Sequence, residues 1–300
     1  MPRIINSNHK SFKAFSLIEL SIVILIIGIL VAGVTQSSRL VKRIRLLTAQ
    51  NITNSSPVPT IKDLALWYES TLDRSFNDAE EQDLGELTMW YDNNPQTTNK
   101  LNAFPPLVNN RPKYIENGIN GLPTLNFVDD DFLQYVDNVG LSTSATVFII
   151  FKTNDLMNDR QIFVGGGIDF GGYGTKCVAL AHLNSASWYG SWNVTNALSY
   201  NTSSPMLCRW SYRNGIIQSF MNGSPGSSTN AGGSYPLSRH NNASQDFTID
   251  YIASQYIYTT LYNFHGYISE VIVYGRGLKD DEVVDIERYL AKKYAIKLTY

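Results

Sequence analysis

The segment that decides the fold is Lys13–Val34, Lys-Ala-Phe-Ser-Leu-Ile-Glu-Leu-Ser-Ile-Val-Ile-Leu-Ile-Ile-Gly-Ile-Leu-Val-Ala-Gly-Val. As a helix, the part from Phe15 to Val34 would be about 30 Å long, which matches the hydrocarbon thickness of a bilayer. One carboxylate, Glu19, interrupts the apolar run near its start. A charged residue at the centre of a membrane span costs about 2.5–3.5 kcal/mol, so Glu19 needs an oppositely charged partner or access to water.

The hexapeptide Phe-Ser-Leu-Ile-Glu-Leu, residues 15–20, follows a short basic leader and precedes a run of Val, Ile and Leu. This pattern resembles the N-terminal signature of type IV prepilins and pseudopilins. The resemblance implies that a prepilin peptidase cuts between Ala14 and Phe15 and methylates the new amine of Phe15. It also implies that the mature helices bundle into a filament, in which Glu19 pairs with the N-terminus of a neighbouring pilin-like subunit. The family usually carries glycine before the cut, where this chain carries Ala14.

Pairing between subunits agrees with elementary electrostatics, because a carboxylate in a low-dielectric helix bundle is stabilised by an opposite charge. The alternative is a plain membrane anchor in which Glu19 lies near the interface and has no assembly role. Basic residues flank both ends of the apolar run, three before it and four between Arg39 and Arg45. Their count does not decide the topology. The expected location therefore follows from the resemblance: the bacterial inner membrane for the precursor, then the periplasm or the cell surface.

Periodicity and composition divide the chain into four predicted segments. Leu40, Val41, Ile44 and Leu47 extend the helix with amphipathic spacing, and Pro57 and Pro59 end it. The predicted segments are a leader at 1–14, a transmembrane and assembly helix at 15–50, a linker at 51–60 and a head at 61–300.

The head has the pattern of an antiparallel β-sandwich, since short runs rich in Val, Ile, Phe, Tyr and Thr alternate with Gly, Asn, Asp, Ser and Pro. Leu278–Tyr294 then changes to a helical period, with acids in its first turn and lysines near its end. We predict a mostly β head that closes with a C-terminal helix. The predicted strands are Thr146–Lys152, Gln161–Val164, Lys176–Leu183, Ile216–Met221, Asp246–Ile252 and Tyr267–Tyr274, with tight turns at Asn214-Gly215 and Asn222-Gly223.

A second resemblance spans nearly the whole head. Five stretches resemble, in order, bacterial concanavalin A-like or laminin-G-like domains: Leu64–Tyr68, Met89–Asp92, Asn120–Phe127, Ser269–Tyr274 and Ile286–Tyr294. The resemblance implies a jelly roll of two curved antiparallel sheets packed face to face. Such domains bind carbohydrate or protein, and some cleave glycans, but a fold does not decide among these functions.

An enzyme hypothesis rests on Glu81-Gln-Asp83-Leu-Gly-Glu86, which has the Glu-x-Asp-x-x-Glu spacing of some glycan-cleaving members of this fold. On a strand, Glu81 and Asp83 would share a face and a bulge could bring Glu86 to join them. Retaining hydrolysis needs two such carboxyls about 5–5.5 Å apart. Gly85 and the lack of alternating apolar residues favour a solvated turn. We therefore predict no catalytic residue, and a membrane-tethered or secreted glycan hydrolase is the alternative.

The best candidate for ligand recognition lies between Ser187 and Asn193. Trp188, Tyr189 and Trp192 could stack on sugar faces while Asn193 serves the hydroxyls, although the same residues could equally pack in a core strand. The partner would be a glycan or a surface protein.

Metal binding has one candidate, Asp129-Asp130-Asp131, whose oxygens suit Ca²⁺ but which could equally form a polar turn. No other cofactor is expected. The four histidines lack the paired spacing of a zinc site: His9, His182, His240 and His265.

The cysteines and the net charge bear on the compartment and on the partners. In an oxidising compartment Cys177 and Cys208 could form a disulfide, and two buried thiols are the alternative. A net charge of −2 does not favour nucleic acid as a partner.

Overall fold

The computed structural model describes residues 16–141, 144–153, 163–164, 178–179, 192–193, 204–213, 216–230, 247–253 and 264–300. The chain separates into two compact units, residues 1–44 and residues 45–300. Helix α1 (Leu17–Asn54) contributes most of its length to the first unit and its last turns to the second. The second unit holds the strands and helix α2 (Asp280–Tyr294).

The remaining elements are short. Three 3₁₀ helices lie at Val58–Thr60, Asp73–Ser75 and Val108–Asn110. The strands are β1 (Leu64–Glu69), β2 (Ala103–Phe104), β3 (Lys113–Ile119), β4 (Leu122–Phe127), β5 (Leu133–Leu141), β6 (Ser144–Thr153), β7 (Phe163–Val164), β8 (Val178–Ala179), β9 (Trp192–Asn193), β10 (Met206–Arg213), β11 (Ile216–Met221), β12 (Ser224–Asn230), β13 (Phe247–Ile252) and β14 (Gly266–Tyr274).

Among the described residues, the second unit holds two antiparallel sheets and a separate parallel pair of short strands, β8-β9. The larger sheet has the order β12-β11-β10-β6-β14-β4-β3, with β1 also paired to β14, and the smaller has the order β2-β5-β13-β7. Phe151 and Ile268 of the larger sheet share one hydrophobic core with Leu133 and Ile252 of the smaller. The predicted two-sheet sandwich is confirmed, and its described strands do not close into a barrel. The finer assignment, a concanavalin A-like jelly roll, stays a prediction.

The other face of the larger sheet is covered by helices. Phe148 and Ile272 lie in a second core together with Ile286 and Leu290 of α2 and Ala49 of α1. The apolar residues whose helical spacing predicted α2 are therefore the ones that pack on the sheet.

Most local predictions agree with the structure. The runs predicted as strands at 146–152, 216–221 and 267–274 lie in β6, β11 and β14, and the described part of the run at 246–252 forms β13. Asn222 and Gly223 have φ of 51° and 88°, as a two-residue hairpin turn between β11 and β12 requires. Of the strands predicted at 161–164 and 176–183, the structure describes only the residues that form β7 and β8. Asn214-Gly215 lies outside the described residues.

The predicted linker at 51–60 needs correction. Helix α1 continues to Asn54, and Val58–Thr60 form a 3₁₀ turn in which Val58 is fully buried. The hydroxyl of Tyr274 donates to the carbonyl oxygen of Val58 at 2.9 Å. Gln50 Nε2 donates to the carbonyl oxygen of Thr71 at 2.9 Å. Since the end of α1 packs into the head, the compact units divide at residue 44, before the predicted boundary.

Candidate functional site

Helix α1 begins with a capping box. The backbone N–H of Ser16 donates to Glu19 Oε2 at 2.9 Å, and the backbone N–H of Ile18 donates to Ser16 Oγ at 3.3 Å. These bonds satisfy donors that have no partner inside the helix, and the Glu19 charge complements the positive end of the helix dipole. Glu19 thus has one oxygen bound within its own chain while the residue stays exposed. The Ser-x-x-Glu spacing of residues 16–19 carries this signal in the sequence, although the hydrogen bonds were not among the predictions.

The part of α1 that follows exposes its large apolar side chains. The large apolar side chains from Leu17 to Val34 are each 47–87% exposed. Within the described residues one helix is long and apolar enough to cross a membrane by length and composition, and it starts at Leu17 with a mean hydropathy of 2.9. Such a surface is stable only against lipid or against other apolar surfaces.

Three charged side chains are buried in the head between the larger sheet and α2. Glu69 of β1 and Glu270 of β14 lie opposite each other in the strand pair. Lys293 of α2 contacts both carboxylates, with its Nζ 2.9 Å from Glu270 Oε2, and all three side chains are fully buried. Like charges directly opposite each other on a sheet repel, so Lys293 allows the two carboxylates to share the site. We call these residues the buried acid–lysine cluster.

Hydrogen bonds complete the cluster around Glu270. Trp67 Nε1, the Tyr289 hydroxyl and the Tyr294 hydroxyl donate to its oxygens at 2.9, 2.7 and 3.0 Å. Burial raises the pKa of Glu270, the Lys293 charge lowers it, and the charge of Glu69 raises it. Burial and the nearby carboxylates also hold the pKa of both tyrosines well above the ordinary value, so both hydroxyls keep their protons.

The carboxylate of Glu69 accepts hydrogen bonds mainly from backbone groups close to it in sequence. The backbone N–H groups of Thr71 and Leu72 donate to its two oxygens at 2.7 and 2.8 Å. The Tyr289 hydroxyl also lies 3.4 Å from Thr53 Oγ1, which links the cluster to the end of α1. Because a fully buried cluster cannot reach a ligand in solvent, its role is to hold α2 and the end of α1 on the sheet.

The acids Glu81, Asp83 and Glu86 do not share a strand face. Residues 81–85 form a turn, and only Glu86 makes an isolated bridge. Asp83 Oδ1 accepts from the backbone N–H of Glu116 at 3.2 Å, and Glu86 Oε2 lies 3.8 Å from Arg111. This segment therefore lacks the strand geometry that the hydrolase alternative requires, and it forms the turn that its composition favours.

Glu81 provides a test by pH. Burial and the charges of Asp73 and Asp78 raise its pKa from 4.5 to about 7. Since the folded state holds this proton more tightly than the unfolded state, the stability from the protonated carboxyl is full below about pH 4.5 and is lost as the pH rises through about 7. We expect Glu81→Gln to raise the Tm at about pH 8 and to leave it unchanged at about pH 4.

Thermal unfolding over this pH range checks the prediction. Asp83→Asn is the matched control, because Asp83 is exposed in the same turn. An equal rise of the Tm in both variants at about pH 8 would contradict the assignment to Glu81.

Asp129-Asp130-Asp131 form a tight turn. Asp129 has a φ of 49°, and Asp131 Oδ2 accepts from the backbone N–H of Val128 at 3.0 Å. Asp131 is buried, and burial raises its pKa to about 6. In the described part of the chain no three His, Cys, Asp or Glu side chains converge as metal ligands, and the calcium site stays a prediction.

Several other predicted site residues lie outside the residues that the structure describes. Ala14, Phe15, Trp188 and Tyr189 are outside the described residues. Trp192-Asn193 form β9, which pairs with β8 in parallel. The prediction that these side chains bind a ligand is therefore untested.

The predicted disulfide between Cys177 and Cys208 is also untested. Cys208 is buried, and burial raises the pKa of its thiol. Cys177 lies outside the described residues, so the pairing stays a prediction.

Residues 9–35 match a family described as the prokaryotic N-terminal methylation motif. The N-terminal segment is thus type IV prepilin-like, which confirms the first resemblance for the leader and the start of α1. The motif implies processing by a peptidase and assembly with other pilin subunits. Together with the apolar helix, it fits a membrane-anchored precursor. No curated protein matches the chain.

Three solved structures illustrate what the rest of the chain is similar to. Domain 4 of AbnA, a GH43 extracellular arabinanase from Geobacillus stearothermophilus in complex with arabinotriose, is 14% identical, with a TM-score of 0.48 over 75% of this chain and 98% of that domain. A Trypanosoma rangeli sialidase is 12% identical, with a TM-score of 0.47 over 84% of this chain and 38% of the sialidase. A GH54 α-L-arabinofuranosidase is 12% identical, with a TM-score of 0.46 over 70% of this chain and 51% of that enzyme. At these values the likeness assigns no activity or ligand to this chain.

Proposed function

We propose that the chain is a pilin-like subunit, of the minor pilin or pseudopilin kind, in a type IV pilus or a secretion-type filament. The observation that carries the proposal is the methylation motif at residues 9–35, which runs into a helix with exposed apolar side chains. Prepilin peptidase would cut the inner-membrane precursor before Phe15. The helices of neighbouring subunits would then cover one another's apolar surface in the filament, with the head in the periplasm or at the cell surface.

Glu19 would bind the N-terminal amine of a neighbouring subunit. The capping box is compatible with this role, because it uses only one carboxylate oxygen and leaves the residue exposed. In the low dielectric of a helix bundle, an uncompensated carboxylate would be costly, and an amine supplies the compensating charge.

The size of the head favours a minor or tip subunit. The second compact unit spans residues 45–300, and so large a unit on every subunit would crowd a close-packed shaft. Immunogold labelling of sheared filaments with antibodies to the head tests this position. We expect label at filament tips. Dense label along the shafts would contradict a tip position, and the absence of the protein from every filament preparation would overturn the pilin-like assignment.

We propose that the head serves recognition of a glycan or a surface protein, as in adhesion, and not catalysis. The separate contacts of Asp83 and Glu86, one with the backbone of Glu116 and the other with Arg111, support this choice over hydrolysis. Trp188, Tyr189, Trp192 and Asn193 stay the proposed contacts with this ligand.

A further inference from the structure

A cleft of about 490 Å³ opens on the head between α2 and strands β10 and β11. Its helix wall is formed by Asp280, Val283, Val284 and Glu287, whose spacing places them on one face of α2. Its volume falls within the range of small-ligand pockets, about 300–1,000 Å³. The cleft lies on the helix-covered side of the larger sheet, because Leu207 of β10 belongs to the same hydrophobic cluster as α2.

The strand wall is organised by Arg209. Its Nε donates to Glu287 Oε1 at 2.8 Å, its Nη1 donates to Ser211 Oγ at 3.0 Å, and its guanidinium carbon lies 3.4 Å from the centre of the Phe220 ring. Arg209 is 8% exposed and Glu287 is 1% exposed. A guanidinium carries more N–H donors than these two partners use, so this rigid, buried group retains donors at the cleft.

One end of the cleft is closed by Tyr300. The preceding residue, Thr299, is fixed to the β11–β12 turn, since its backbone N–H donates to the carbonyl oxygen of Asn222 at 2.8 Å. A Cβ at Gly223 would lie 3.3 Å from the Tyr300 ring, so glycine allows the ring to pack closely over this turn. Tyr300 lines the cleft together with Glu287 and is 73% exposed. It therefore offers an aromatic face at the mouth of the cleft.

The charges of the cleft disfavour an anionic ligand. Glu287 neutralises Arg209, and Asp280 adds a second carboxylate, so an anion meets excess negative charge. A neutral ligand that both donates and accepts hydrogen bonds matches the Arg209 and Gln218 donors, the carboxylate acceptors and the apolar surface of Val283 and Val284.

A peptide added as a strand fits this place poorly. Both β10 and β11 have strands on each side in the larger sheet, so they offer no free backbone edge to pair with. A sugar ring needs no such edge, since its hydroxyls bind side chains and its C–H face packs on aromatic rings.

We propose that this cleft binds a neutral sugar residue, with Arg209, Gln218 and Asp280 serving its hydroxyls and Tyr300 covering its face. The inference deepens the recognition role of the head and rests on that proposed function for its biological meaning. The binding itself requires no filament, so its failure and the failure of the pilin-like assignment are separate results.

The test is calorimetry on the full-length chain in an amine oxide detergent, because maltoside detergents would add competing sugar. The neutral probes are cellotriose, chitotriose and arabinotriose, and sialyllactose is the anionic comparison. We expect saturable binding of at least one neutral probe, with sialyllactose weaker by about tenfold or more. Gln218→Ala and Tyr300→Ala should each weaken that binding by about tenfold.

Gln82→Ala is the matched control, since Gln82 is exposed in the turn at 81–85 and should leave binding unchanged. Hydrogen exchange on the unaltered chain supplies a readout that does not depend on variants, and bound sugar should increase protection at 206–213 and 278–287. The proposal is overturned by the absence of saturable binding to all three neutral probes, by a preference for sialyllactose, by equal binding in the cleft variants and Gln82→Ala, or by protection confined to other segments.

Discussion

Replacing Lys293 with methionine is expected to lower the free energy of unfolding by about 3–5 kcal/mol. Methionine keeps an apolar stem of similar length but removes the cation that Glu69 and Glu270 share. The two carboxylates lie opposite each other on β1 and β14, closed off from solvent, and would lose their compensating charge. Urea unfolding of the full-length chain, followed by tryptophan fluorescence, measures the change.

The adjacent Lys292 supplies a matched control. It is exposed on α2, so Lys292→Met should change the free energy of unfolding by less than about 0.5 kcal/mol. Adding Glu69→Gln and Glu270→Gln to Lys293→Met should recover part of the loss, because these changes remove the uncompensated charges. Equal, small losses for Lys292→Met and Lys293→Met would show that the buried acid–lysine cluster does not hold α2 to the sheet.

Replacing Glu19 with glutamine is expected to lower incorporation into filaments by about tenfold or more, while cleavage of the leader continues. A charge pair of about 2 kcal/mol or more in a low-dielectric bundle accounts for such a loss. Glutamine can still accept the Ser16 N–H in a capping box, so this variant removes the charge and keeps the start of the helix. The ratio of sheared-filament protein to processed membrane protein, measured by immunoblot, reports the effect.

Ser16→Ala separates the two roles of this helix terminus. It removes the hydroxyl that accepts the N–H of Ile18, at a cost of about 1 kcal/mol, and keeps the Glu19 charge. Incorporation close to that of the unaltered chain is expected. If Ser16→Ala fails to assemble while Glu19→Gln assembles normally, the terminus acts through helix capping, and the charge-pairing account is wrong.

Features with a local cause could be predicted from the sequence. The buried run of β6 and the apolar stripe of α2 show their contacts in their own periodicity, and Asn222-Gly223 adopts the positive φ angles that its turn demands. The type IV prepilin-like segment is also local, because one stretch carries the leader, the cut and the apolar helix.

The end of α1 was misjudged because its contacts leave little apolar signal. Ala49 is 1% exposed and Thr53 is fully buried, and neither residue marks a hydrophobic stripe, so Ile52 is the one large apolar residue near them in α1 that packs on the second core. Small residues allow close approach of the helix to the head, and a periodicity based on large side chains does not register them. The helix therefore continues beyond Leu47, the last residue of the amphipathic pattern predicted from the sequence, to Asn54.

The buried acid–lysine cluster was missed for a different reason. Lys293 and Glu69 are 224 residues apart, and neither local pattern reveals that the other exists. The available signals were single acids in the apolar strands β1 and β14, and a lysine three positions after Leu290 on the buried face of α2. The Arg209–Glu287 pair beside the cleft is separated by 78 residues and was hidden in the same way.

The most direct measurement is mass spectrometry of the N-terminal peptide of the protein isolated from its bacterial membrane. We predict a mature chain that begins at Phe15 and carries one methyl group on the new amine, with Ala14 as the last residue of the released leader. Deletion of the prepilin peptidase in the same host should leave only the full precursor. A chain that retains Met1 in the presence of an active prepilin peptidase would contradict the account and leave a tethered β-sandwich without a place in a filament.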